Sequence, residues 1–150
     1  MCVHLLIRML AVSALALVAY IDWQRHEIWH FITIPSIVGA VFFADWLPAH
    51  FRANALLGSL IALIFFGLIW LVARHVYGIG ALGFGDVMLA ALVGAIGGVV
   101  SGLLWLAVGM LLAGGYAAWL RFILKSATGV IPYGSFIALS SVIGIIVSKI

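Results

Sequence analysis

Residues 78–89 read G-I-G-A-L-G-F-G-D-V-M-L, and the rest of the chain is read outward from them. Four glycines, Gly78, Gly80, Gly83 and Gly85, lead directly to Asp86, and an apolar run over residues 87–93 follows at once. A carboxylate where a long apolar segment begins is costly, because a charge near hydrocarbon loses its hydration. The chain holds only four acidic residues, so one placed here marks a candidate functional site. A plain N-cap for the following helix is the simpler role for Asp86. A cap, however, does not require four glycines ahead of it.

The 150 residues are 67% hydrophobic and 7% charged, against roughly 25% charge in a soluble domain. This composition defines an integral membrane protein and leaves no room for a separate soluble domain, so residues 1–150 are read as one transmembrane domain. The formal charge of +3 rests on seven basic and four acidic residues, and it bears on membrane orientation, not on nucleic acid. The single cysteine, Cys2, excludes an internal disulfide and a Cys-type zinc site. The first apolar segment is read as a retained span and not as a signal peptide.

A spanning helix needs about 20 mostly apolar residues. The pattern predicts an all-α bundle of six transmembrane helices, near residues 3–21, 28–46, 54–72, 86–97, 99–123 and 131–147. The continuous apolar runs lack the period-two alternation of a membrane barrel. Pro35 falls inside the second span, where a kink is expected. Asp22 follows span one and Asp86 precedes span four, so two crossings place them on the same side of the membrane. Asp45 falls on the other side. Arg25, Arg74, Arg121 and Lys125 share the side of Asp22 and Asp86, which marks it as cytoplasmic. Gly94, Gly98 and Gly102 form a doubled G-x-x-x-G, read as close helix packing.

Three motifs compete for the chemistry. Gly78-x-Gly80-x-x-Gly83 matches the dinucleotide fingerprint as a string, but that fingerprint needs a preceding strand and here an apolar helix precedes it. His26-Glu27-Ile28-Trp29-His30 spells H-E-x-x-H, the zinc metalloprotease string, with Glu27 as general base. No third ligand stands in a recognisable metal-binding pattern with it. The third candidate is the pair Asp22 and Asp86. Two carboxylates brought together in low dielectric share a proton. One then acts as base on a water while the other polarises a carbonyl, which is aspartic peptidase chemistry. A proton-relay or assembly protein of the same fold is a further alternative, since paired carboxylates at a membrane mouth also suit proton transfer.

At these residues the chain resembles the type IV prepilin peptidases, the bacterial G-x-G-D membrane aspartic peptidases. Gly83-Phe84-Gly85-Asp86 and the V-M-L-A-A-L-V-G-A-I-G-G that follows match that family's second motif. Its first motif is similar to D-x-R-x-x-x-I-P-[ND]-x-x-T-x-P. Asp22, Ile28, Thr33 and Pro35 fall at the expected places, with Arg25 one position late. Residues 131–136, I-P-Y-G-S-F, resemble the family's I-P-[FY]-G-x-[FL] in the last span. Trp29, His30 and Met88 depart from the family pattern, and the acidic residue often found ahead of G-x-G-D is missing.

The resemblance implies a short, peptidase-only form that cleaves the basic leader of prepilin-like precursors after a glycine, at the cytoplasmic face of a bacterial inner membrane. It implies Asp22 and Asp86 as the catalytic pair, Gly83 and Gly85 as backbone support, and secondary roles for Arg25, Pro132 and Gly134. Glycine would let the backbone bend and approach the substrate. The implied partners are a prepilin or pseudopilin helix and the lipid bilayer, with no metal or organic cofactor and no nucleic acid.

Overall fold

The computed structural model describes residues 2–25, 30–77, 83–122 and 133–148. It is all-α: α1 (Cys2–Arg25), α2 (His30–Phe42), a short 3-10 helix (Ala44–Trp46), α3 (Arg52–Tyr77), α4 (Phe84–Phe122) and α5 (Tyr133–Val147). Among the described residues, three segments are long and apolar enough to cross a membrane: Val3–Gln24, Arg52–Val76 and Phe84–Leu120.

Six spans are not confirmed. The predicted second span ends early, because the chain leaves α2 at Phe42 and tightens into the 3-10 helix. As described, α2 has 13 residues and α5 has 15. At 1.5 Å per residue these are about 20 and 22 Å long, short of the roughly 30 Å hydrocarbon core. The predicted spans four and five are one element, α4, broken at Gly98, where φ is 71° and ψ −167°.

That break reverses the chain. In a straight helix, residues eight apart are about 12 Å apart. Here a Cβ built on Gly102 would lie 3.0 Å from Gly94 Cα, and Trp105 reaches back to Gly97. Helix α4 is therefore a hairpin with a first arm over residues 84–97 and a second over 99–122. Two main-chain groups beside the break find partners outside the helix. Ala49 N–H donates to the Ile96 carbonyl at 3.0 Å, and Val99 N–H donates to Asn54 Oδ1 at 3.1 Å. Asn54 Nδ2 in turn donates to the Ala49 carbonyl at 2.8 Å. In hydrocarbon such groups have no water to turn to, so a break survives only where protein satisfies it.

The first arm forms the centre of the bundle. Val87 and every residue from Leu89 to Ile96 are buried. It packs against α3, where Gly58 and Gly94 meet backbone to backbone. Small residues permit this approach, and the attraction is close van der Waals contact. The doubled G-x-x-x-G thus serves packing, but not as one face of one helix: Gly94 meets α3, Gly98 turns the chain, and Gly102 folds back on Gly94. The second arm meets α5, where Ser140 Oγ donates to the Trp105 carbonyl at 2.8 Å and Gly144 makes room for the Trp105 indole.

The outer surface is apolar, with Leu6, Met9, Leu57, Ile64, Leu111 and Phe122 all exposed. A water-soluble protein does not leave so much large apolar surface uncovered. Together with the three long apolar helices, this identifies a membrane protein.

Helices α1 and α5 run antiparallel and are tied at both ends. At one end Ser135 meets Asp22, and at the other Arg8 Nη1 donates to the Ser148 carbonyl at 3.0 Å. The guanidinium thereby satisfies a carbonyl just past the end of α5, where the helix dipole favours a cation.

Candidate active site

Both aspartates lie at one end of the bundle. Asp22 sits in the last turn of α1 and Asp86 in the first turn of α4, and they are close enough for a direct charge–charge interaction. Asp45 lies beside the loop that latches onto the Gly98 break, at the other end of the first arm. It faces Arg52 at 4.0 Å with both side chains exposed, a surface pair of little energetic weight.

Asp86 is held from three directions. Gly83 takes the N-cap position of α4, and its carbonyl accepts the Asp86 N–H at 3.1 Å. The Gly83 N–H donates back to the Asp86 carboxylate, the reciprocal pattern of a capping box. Asp86 is thus a capping residue in the third helical position and not the N-cap itself. Phe84 packs on Trp70 of α3 with ring centroids 5.5 Å apart, which fixes where α4 begins. On the far side, Val87 and Leu89 are buried in the core.

Asp22 is buried, with 5% of its surface exposed. Its Oδ2 accepts the Ser135 N–H at 2.8 Å and stands 3.0 Å from Ser135 Oγ. Ser135 lies in the first turn of α5, so its N–H has no partner within its own helix. Each aspartate therefore stands at the N-terminus of a helix, Asp86 at α4 and Asp22 at α5. The positive ends of two helix dipoles compensate two carboxylates that would otherwise repel each other in a low dielectric.

The other predicted residues divide. Gly83 and Gly85 adopt no left-handed conformation; among the described residues only His50 and Gly98 have positive φ. Gly85 lies within α4 and has no unusual backbone angle. Gly134 is buried one residue before Ser135. Thr33 is fully buried on α2, which runs through Pro35. The Arg25 side chain, residues 26–29 and Pro132 lie outside the described residues. The H-E-x-x-H string falls there too, except for the backbone of His30. Among the described residues no three His, Cys, Asp or Glu side chains gather as a metal cluster. Ser135 and Asn54 were not singled out by sequence. The available signal for Ser135 was its place as a hydroxyl in the first turn of the last apolar helix.

Two interacting aspartates thus stand at one end of a membrane helical bundle. Residues 9–148 match the type IV leader peptidase family, and the chain belongs to that family. No curated protein and no solved structure matches the chain. Family membership supports a protease with a type IV leader peptidase-like function.

Proposed function

We propose that residues 1–150 form a single membrane aspartic endopeptidase domain that removes the leader from prepilin-like precursors. The supporting observation is the convergence of Asp22 and Asp86 from separate helices in a chain of the leader peptidase family. One carboxylate takes a proton from a water whose oxygen attacks the scissile carbonyl carbon. The other, protonated, donates to the carbonyl oxygen as charge develops there. The tetrahedral intermediate then collapses, the C–N bond breaks, and the leaving amine takes up a proton. The substrate's apolar helix docks laterally against the spans, with its basic leader at the aspartate end. Arg25, Arg74, Arg121 and Lys125 on that side favour a cytoplasmic site in a bacterial inner membrane.

Co-expression with a prepilin whose leader ends in glycine tests this reading. The expected result is a product shortened by the leader and carrying the mature N-terminus. An unchanged precursor across several such prepilins would overturn it. In detergent, the rate should be bell-shaped in pH, because exactly one proton must reside on the pair and the two limbs belong to it jointly. A rate that rises steadily with pH would point to a lone base.

Chelators are expected to leave cleavage intact, and His26→Ala or His30→Ala to retain most of it. Activity lost in chelator and restored by added zinc would move the chemistry to the H-E-x-x-H string.

A further inference from the structure

We propose that Ser135 is a positioning residue for Asp22, holding one carboxylate oxygen and exchanging hydrogen-bond roles as the aspartate gains or loses a proton. The proposal rests on the catalytic-pair reading above. Ser135 presents two groups to Asp22 Oδ2, its N–H at 2.8 Å and its Oγ at 3.0 Å, and the same Oγ lies 3.0 Å from the Ala19 carbonyl. A hydroxyl has one proton and two lone pairs, so it cannot donate to both acceptors at once. Two arrangements fit the same heavy atoms. With Asp22 ionised, the hydroxyl proton points to Oδ2. With Asp22 protonated, the carboxyl O–H donates to Oγ and the hydroxyl proton turns to Ala19. Rotation about the Cβ–Oγ bond converts one into the other, and Ser135 carries the same proton count in both.

The N–H stays on Oδ2 throughout, so the carboxylate plane does not swing when the charge changes. Both hydrogen bonds to Asp22 among the described residues fall on Oδ2. A pair that must trade a proton each turnover needs a neighbour satisfied in either state, since leaving a buried hydrogen-bonding group unpaired is costly. The charged group set against Asp22 is Asp86 on α4. Helix α5 adds Tyr133, two residues before Ser135, and α1 adds Tyr20, whose hydroxyl accepts from Gln24 Nε2 at 2.7 Å. Helix α2 carries no titratable group among its described side chains, and Arg8 is engaged at the far end of α1.

Ser135→Ala removes the hydroxyl and keeps the N–H; Ser135→Thr keeps both. With a prepilin peptide in detergent, Ser135→Ala should lower kcat about tenfold, change KM less than about twofold, and shift the pH–rate profile. Ser135→Thr should restore all three. A second readout needs no substrate. The chain has three aspartates, so carboxyl-labelled aspartate can be assigned with single Asn variants. The Asp22 carbon should titrate differently in Ser135→Ala and as wild type in Ser135→Thr. If the Ala variant does not fold, Ser135→Cys, a weaker donor, should give a smaller shift of the same sign. Identical Asp22 titrations in the wild type and the hydroxyl-lacking or thiol variant would overturn the proposal. If no prepilin is cleaved but the titration still responds, the peptidase reading fails and the hydrogen-bond exchange stands.

Discussion

Leader cleavage is expected to fall roughly ten-thousand-fold or more in Asp86→Asn, and equally in Asp22→Asn, with the double variant no slower. Members of one catalytic unit fail together, because each does its work only on the other's product state. Folding should survive. An Asn at position 86 still accepts the Gly83 N–H with its amide oxygen, and an Asn at position 22 still accepts from Ser135. The check is the initial rate on a purified prepilin, read beside the thermal melt of each variant in the same detergent. Either variant cleaving within tenfold of wild type would remove that residue from the pair.

Gly98→Ala is expected to be strongly destabilising. A left-handed φ of 71° costs an L-residue about 1–2 kcal/mol. The new methyl would also strike the Asn54 amide, which caps Val99 N–H. Losing that cap leaves a buried donor unpaired, for about 1–3 kcal/mol more. The two add to roughly 2–5 kcal/mol, a large share of a marginal stability. Asn54→Ala should show the second part alone, and the double variant should cost less than the sum, since the methyl no longer meets an amide. Melting temperatures of the three variants in one detergent decide it. Full additivity would mean that Gly98 and Asn54 do not act through each other.

The fold class and the convergence of the aspartates were legible for a simple reason. Apolar run length reports helices and sets Asp22 at the end of one and Asp86 at the start of another, and the structure brings those two ends together, although the six crossings from which their shared side was expected are not confirmed. The join near Gly98 was legible as well, but not its geometry. A G-x-x-x-G string looks the same whether it forms one face of a straight helix or the inside of a hairpin, and only the positive φ at Gly98 separates the two. The second span was drawn to Trp46 because Phe43, Ala44 and Trp46 continue the apolar run; hydropathy cannot see the backbone tighten there. Arg8 stood inside an apolar segment without a partner in view, since its acceptor is a carbonyl 140 positions away. Main-chain acceptors carry no residue code. Ser135 was hidden for a related reason, because half of its hold on Asp22 comes from a backbone N–H.

The hairpin in α4 also sets an order of events during synthesis. The first arm leaves the ribosome before the second, and at about 21 Å it is too short to settle across a bilayer by itself. It enters with residues 99–122 as one unit, and the turn closes on Asn54, made 45 residues earlier. Asp22 waits longer still: its partner Ser135 is translated 113 residues after it. A nascent chain stopped between α4 and α5 therefore holds both aspartates without the contacts that Ser135 makes to the first of them. Within residues 1–150, the hold on Asp22 is thus completed only when the final helix packs against the first.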